Sequence, residues 1–404
     1  LEIPSEQKIV FVGPFAEHSG YAYMCREHVK GLLNLGWNVG IEAINCHNDI
    51  SFEETQFFNS LRKFENNRPA LFLEHDVIKI VGWIPLKNIP VFKHNIIYTM
   101  MESRNVGGSF VEQCNLYYNS CWTPTKYYEN KLKEAGVKIP IKIVPIGIDS
   151  FYKRENIKEG FKLNYKVFSK REASPDPTGY KFLSVFRWNY KKGYDVLIKS
   201  FLREFSYKDN VSLVIIAKHA AMSREKRFSE AVEKEMREVI DANSNIDSPP
   251  IYWSEDDISQ ENMPSMYAIG DCFALISRGE GQALTALEAS RMGLPTILPY
   301  HTAFTDYVSD ETSFKFDVDG WEVCNNNPLW GQWITRIYSG QEFPIFGDSV
   351  VQKVSSLMRE AKSNPDLCIK KMEAMNRVID EKYTWSVCTT LASEALLEIL
   401  SGRT

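Results

Sequence analysis

Short apolar runs alternate along this chain with longer stretches whose apolar positions recur every three or four residues. Residues 8–12 (Lys-Ile-Val-Phe-Val) read as a buried strand and 13–20 as a loop. Residues 21–35 read as a helix stopped at Gly36, and 37–44 as the next strand. That order is the βαβ opening of a parallel sheet. Further strands are predicted at 69–73, 95–99, 120–122 and 141–144, with a helix over 124–135 stopped at Gly136. From 149 to 178 the periodicity dissolves into charges and a Ser-Pro-Asp-Pro-Thr-Gly turn, which reads as an interdomain connection with room for a helix inside it.

A second series begins at 180–186 and continues with strands at 212–217, 251–253, 272–276 and 296–298. Helices are predicted between them, including 194–205 and 224–242. Residues 329–346 are aromatic and read as irregular, whereas 350–363, 367–382 and the amphipathic 385–401 read as helices. No repeat of solenoid period and no low-complexity tract is present. The expectation is α/β, with two Rossmann-like domains: 1–165, joined by 384–404, and 166–383.

The 404 residues are enough for two such domains. A net charge of -5 argues against a general binder of nucleic acid or anionic membrane. No apolar run approaches the roughly 20 residues that span a bilayer. The opening Leu-Glu-Ile-Pro-Ser lacks the basic and apolar regions of a secretory signal, and it starts at Leu1, so residues preceding it are left open. The eight cysteines (25, 46, 114, 121, 272, 324, 368 and 388) form no C-x-x-C and accompany no histidine cluster, so metal-site spacing is absent. They read as reduced thiols of a cytoplasmic protein.

Residues 277–296, Ser-Arg-Gly-Glu-Gly-Gln-Ala-Leu-Thr-Ala-Leu-Glu-Ala-Ser-Arg-Met-Gly-Leu-Pro-Thr, carry the most chemistry. An apolar strand runs into a small turn and then a helix, which Gly293 and Pro295 end. Unpaired N–H groups at such a helix start suit a phosphate. Glu280 and Glu288, eight positions apart, can accept hydrogen bonds from sugar hydroxyls. An ordinary αβ unit with two exposed glutamates is the plainer reading of the same letters.

This segment resembles the E-x7-E signature of retaining GT-B glycosyltransferases, particularly family 4 (glycosyl transferases group 1). Glu280, Gly281, Leu284, Leu287, Glu288, Ala289, Gly293 and Pro295 are in register with that signature. Gln282, Ala283 and Thr285 depart from its aromatic, its second glycine and its proline. Ala283 and Thr285 are acceptable at a helix start. The resemblance extends to Phe186–Gly193, where Arg187 and Lys192, followed by Asp195, match the cationic turn of the donor domain. A leaving diphosphate develops negative charge that such cations can clamp; Lys191 is the weaker neighbour. Ser19-Gly20 matches a glycine turn that lets backbone approach the donor. Tyr98–Ser103 resembles a Y-T-x-x-E-S segment that makes Glu102 a candidate base, with His75 as runner-up. Residues 122–125 and 145–149, with Gly147 and Asp149, look like structural segments near the end of the family's first domain. Residues 252–257 fall where the family places the base, so Trp253 is a candidate stacking group and core is its plainer role. Lys218 is a weaker phosphate candidate. Asp317-Val-Asp319 mimics a metal motif of a different fold but reads as a surface turn.

The resemblance implies a GT-B fold, with domains facing across a deep cleft and the last helix crossing back to the first. It implies a hexosyltransferase-like enzyme using a UDP- or GDP-sugar and a hydroxyl acceptor in a glycan, lipid-linked sugar or other glycoconjugate. No metal or other cofactor and no nucleic acid are expected; peripheral membrane contact is left open. Donor contacts are assigned to Gly20, Arg187, Lys192, Trp253, Glu280, Gly281, Gln282, Ala283, Leu284 and Glu288. Catalysis is assigned to Glu280, Arg187, Lys192 and Glu102. A nucleotide-sugar epimerase of the same fold, a non-catalytic sugar-nucleotide binder and a transferase acting on modified nucleic acid are the rivals.

Overall fold

The computed structural model describes residues 2–16, 19–44, 52–61, 77–82, 94–219 and 226–402. It divides into two compact units, Leu1–Gly147 with Glu381–Thr404, and Ile148–Asp380. The first unit contains β1 (Lys8–Gly13), α1 (Gly20–Asn34), β2 (Asn38–Ala43), α2 (Phe52–Leu61), β3 (Val77–Val81), β4 (His94–Tyr98), α3 (Gly108–Tyr117), β5 (Ser120–Thr123), α4 (Lys126–Glu134) and β6 (Ile141–Ile143). The strands form one sheet in the order β2-β1-β3-β4-β5-β6. Every pair is parallel. Apolar residues on both faces of β3 and β4 are buried, as a sheet covered on two sides requires. The first helix starts where the Ser19 hydroxyl accepts from the Ala22 N–H at 3.1 Å, and Gly36 leaves it at φ +97°.

The strand expected at 69–73 lies outside the described residues. β3 was missed because Lys79 interrupts its apolar run. That lysine is buried, 3.0 Å from the Glu42 carboxylate on β2.

The second unit contains β7 (Lys166–Phe168), β8 (Tyr180–Trp188), α5 (Tyr194–Glu204), β9 (Val211–His219), α6 (Lys226–Asn243), β10 (Ile251–Ser254), α7 (Met263–Tyr267), β11 (Cys272–Ala274) and α8 (Leu284–Arg291). Then follow β12 (Thr296–Pro299), β13 (Phe314–Phe316), β14 (Gly320–Val323), α9 (Gly331–Ile337), β15 (Glu342–Ile345), α10 (Asp348–Ser363) and α11 (Pro365–Lys382). Its main sheet has the order β13-β12-β11-β8-β9-β10-β7, parallel except for β7. The strand order reverses between β8 and β11, so a crevice opens beyond their carboxyl ends. Residues 329–346, expected to be irregular, hold α9 and β15. The latter pairs antiparallel with β14.

The units divide at Gly147/Ile148 and not at the expected 165/166. Residues 148–165 contain only one turn of 3-10 helix, Arg154–Asn156. They pack within the second unit. The Tyr152 ring meets Tyr267 edge-on at 6.0 Å, the Lys158 N–H donates to Ser265 Oγ at 2.8 Å and the Asn164 N–H to Asp256 Oδ2 at 2.6 Å.

The last helix, α12 (Trp385–Leu400), returns to the first unit as expected. Trp37 Nε1–H donates to Ser393 Oγ at 2.9 Å, and Trp385 Nε1–H to the Tyr23 hydroxyl at 3.0 Å. Gly147 is required beside it, because a Cβ there would stand 2.7 Å from Trp385 Cα. The seven described cysteines are buried free thiols. No helix among the described residues is long and apolar enough to cross a membrane.

His28 lies fully buried under α12, its ring 5.0 Å edge-on from Trp385 and its Nε2 3.1 Å from the Tyr98 hydroxyl. Burial pushes its pKa down to about 3, against a smaller upward pull from the Pro145 backbone. The unfolded chain therefore takes a proton that the folded chain refuses, from about pH 6.5 down to about 3. Stability is expected to fall across that window by up to about 1.4 kcal/mol per pH unit from this group. Denaturant melts of His28→Gln should show a shallower acid slope than the parent. Equal slopes would refute the assignment.

Candidate active site

The loops that follow β8 and β11 meet at the strand-order reversal. The β8 end is anchored by Trp188, buried, stacked on Tyr194 at 4.1 Å and donating through Nε1–H to Glu235 Oε2 at 2.8 Å. The chain then makes one 3-10 turn, Tyr190–Lys192, which Gly193 closes at φ +65°. A side chain at Gly193 would drive its Cβ into the Ile276 carbonyl oxygen, so both backbone angle and space demand glycine. The Gly193 carbonyl receives the Leu197 N–H at 3.0 Å and α5 begins.

This turn aims Lys192 across to the β11 loop, where its Nζ lies 2.5 Å from Glu280 Oε1. The two side chains are 15% and 11% exposed. Lys192 and Glu280, separated by 88 positions, are thus one ion pair. Arg187 stands half-buried near the end of β8, in register with Lys218 on β9. Lys218 pairs with Asp257.

The β11 loop, residues 277–283, is buried throughout. Arg278 fixes it. Its guanidinium is 1% exposed and grips Asp195 through two bonds of 2.9 and 3.0 Å. It also donates to the Tyr190 carbonyl at 2.8 Å and stacks 3.9 Å from the Tyr190 ring centre. The Arg278 N–H reaches the Lys191 carbonyl at 2.6 Å. From the loop after β12, His301 Nε2 lies 3.0 Å from the Ser277 carbonyl, and Tyr307 donates to the Gln282 carbonyl at 2.9 Å. Burial holds the His301 pKa down at about 3 and Arg278 lowers it further, so the ring is neutral and Nε2 carries the proton.

Ala283 is the N-cap of α8 at φ +57°, a left-handed conformation that costs a non-glycine residue about 1–2 kcal/mol. It stands where the resembled signature has glycine, so the departure is a strained one and not a neutral helix start. The first N–H groups of α8 form the helix's positive end, with that of Ala286 bonded to the Ala283 carbonyl at 3.0 Å. Gly281 and Gln282 precede them and Leu284 opens the helix.

Glu288 sits one turn further along and is buried. Its Oε2 accepts from the Tyr267 hydroxyl at 2.6 Å. Burial raises its pKa; hydrogen bonds from Tyr267 and Tyr152 pull it back, and Asp149 pushes it up. Trp253, expected against a nucleobase, is instead core: 1% exposed, with Nε1–H on the Ala217 carbonyl at 2.8 Å and Lys166 Nζ over its ring at 4.7 Å. Asp319 accepts from the Gly347 N–H at 2.7 Å and from Ser349, at the start of α10.

Gly20 and Glu102 belong to the first unit. Gly20 opens α1, and a Cβ there would meet nothing within 4 Å, so packing alone does not demand glycine. Glu102 is half-buried beyond β4, beside Met100, whose N–H and carbonyl both bond the Tyr21 hydroxyl at 2.9 and 3.0 Å. Burial pushes Tyr21 up to about 12, and the Glu102 charge adds to that shift. His75 lies outside the described residues. Arg278 and His301 were not singled out from sequence. The available signal was an arginine in a small-residue loop with an acid, Asp195, in the first turn of the helix that follows the cationic turn.

Residues 167–327 match the model of the family described as Glycosyl transferases group 1. The matched segment holds Arg187, Lys192, Glu280 and Glu288. The whole chain has the GT-B fold of several solved glycosyltransferases. Sucrose-phosphate synthase from Thermosynechococcus elongatus is 10% identical with a TM-score of 0.65, over 98% of this chain and 100% of that one. The α,α-trehalose 6-phosphate synthase of Burkholderia multivorans is 12% identical with a TM-score of 0.62, over 98% and 100%. HepE of Anabaena, solved in complex with UDP and glucose, is 10% identical with a TM-score of 0.60, over 97% and 100%. A comparison with curated proteins gave no match.

Gly193→Ala is expected to destabilise the second unit by about 3 kcal/mol, from steric overlap and backbone strain together. A thermal melt checks this; a midpoint unchanged within about a degree would contradict the turn geometry.

Proposed function

We propose that the chain moves a hexose from a UDP-sugar to a hydroxyl of a glycan, lipid-linked sugar or other glycoconjugate, with retention at the anomeric carbon and without a metal ion. The observation that carries this reading is the Lys192–Glu280 pair at the strand-order reversal of the segment that matches the group 1 family, with Arg187 near the end of β8, the strand that leads into the Lys192 turn. Choice of UDP is supported by the similar Anabaena protein, which was solved with UDP and glucose. Buried free thiols support a reducing, cytoplasmic setting.

In this reading Glu280 holds the Lys192 charge until the donor arrives. The diphosphate then takes Lys192 and Arg187, together with N–H groups of residues 282–284, and Glu280 turns to hydroxyls of the donor sugar. Glu288, oriented by Tyr267, accepts from the ribose. The acceptor oxygen forms a bond to the anomeric carbon as the bond from that carbon to the phosphate oxygen breaks, and the electron pair leaves with UDP. The acceptor proton passes to the departing phosphate oxygen on the same face. Two cations and a helix start supply the charge stabilisation that the leaving group needs.

Thermal melts with UDP, GDP, ADP and their sugars test the donor, because a ligand of the folded state alone raises the midpoint. UDP and a UDP-hexose should raise it most. Lys192→Ala should lower kcat about a hundredfold or more while the protein still melts cooperatively. Wild-type-like turnover in that variant would remove Lys192 from the mechanism. Epimer formation from a UDP-sugar without acceptor would replace transfer by epimerisation.

A further inference from the structure

Between β13 and α10 the chain carries an aromatic insertion, β14–α9–β15, with its own small core of Cys324, Trp330 and Phe343. This insertion packs on the site loops. The Trp330 ring meets Tyr190 edge-on at 5.3 Å, on the turn that bears Lys192. Lys191, only 5% exposed, places its Nζ 3.4 Å from the Tyr338 hydroxyl and 5.0 Å from that ring's centre. At the far end of the hairpin Phe346 lies 4.9 Å from the Arg278 guanidinium, on the cation that also grips Tyr190 and Asp195. Tyr190 is therefore held between Arg278 and Trp330, and the residue two places on is Lys192.

We infer that the insertion positions Lys192: Trp330 and Tyr338 fix the Tyr190–Lys192 turn so that the Lys192 ammonium meets the donor's diphosphate. This rests on the proposed reading of the site. A turn of three residues has few internal bonds, here Lys192 N–H to Asn189 O at 3.0 Å and Gly193 N–H to Tyr190 O at 3.1 Å. Its orientation must come from what packs on it, and a cation on a four-carbon stem loses much of its effect on a phosphate when its base tilts. Trp330 does this through its ring. Its Nε1–H is spent within the insertion, on Glu322 Oε1 at 3.2 Å. Trp330→Phe should therefore preserve the effect and Trp330→Ala should lose it.

The test is a double-mutant cycle on UDP affinity, measured by calorimetry on the full chain. Trp330→Ala should weaken UDP binding severalfold in the parent and leave it unchanged in Lys192→Ala, because the group it positions is then gone. Trp330→Phe should bind UDP as the parent does. Trp330→Leu, which keeps more of the small core filled, serves in the same cycle if the alanine variant fails to melt cooperatively. Equal weakening of UDP binding in both backgrounds, or none in either, would overturn the inference while leaving the site reading intact. Absence of binding by the parent to UDP, GDP and ADP would overturn the site reading and the inference with it.

Discussion

The buried grip of Arg278 on Asp195 is the constraint on which the site depends. Asp195 stands in the first turn of α5, and Arg278 follows β11. One bidentate contact therefore ties the two loops on either side of the strand-order reversal. A buried ion pair adds little net stability over an apolar pair of the same size, yet loss of one partner costs about 3–5 kcal/mol. Its contribution is geometric: a planar fork accepts one orientation of the carboxylate. The same guanidinium binds the Tyr190 carbonyl and covers the Tyr190 ring, so one side chain touches both the turn carrying Lys192 and the loop carrying Glu280.

Strain gathers in the same place. Among the described residues, three that are not glycine have positive φ: Asn210, Ala283 and Thr302. Two of these flank the site, Ala283 at the start of α8 and Thr302 beside His301, whose ring bonds back to the Ser277 carbonyl. Residues are held in sparsely populated conformations only where their surroundings over-determine them. Here the surroundings are the Tyr307 bond to Gln282, the His301 bond to Ser277 and the Arg278 grip. A loop fixed at both ends can keep Glu280 at one place without a regular element beneath it.

Much of this was legible in the sequence, and the failures have physical causes. The β-α alternation identified both sheets, because strands buried on two faces read as continuous apolar runs. The order Arg187, Lys192, Glu280, Glu288 pointed to a candidate site at the second sheet, and of these the structure pairs Lys192 with Glu280. Pattern failed where a polar residue is buried by pairing: Lys79 hid β3 by standing inside its apolar run. It failed in the opposite sense at Trp253, because an aromatic residue at a strand end looks the same whether it stacks on a ligand or fills the core. The hairpin of the insertion was missed because β14 and β15 pair through backbone across an intervening helix, and no short-range turn signal marks them.

The two glutamates of the motif show why spacing alone does not assign a role. Glu280 is held by a cation, the Lys192 ammonium, in a mostly buried pair. Glu288, eight positions on, is held by phenols, and burial raises its pKa. In an ion pair it is the cation that can exchange its carboxylate for a ligand's negative charge, which leaves the carboxylate to accept from hydroxyls, whereas a carboxylate held by neutral hydroxyls can exchange them for other hydroxyls. The environments differ because Glu280 precedes the helix, in reach of the β8 turn, while Glu288 lies within α8 and turns toward α7. The chemistry of each therefore follows from which neighbouring element supplies its partner.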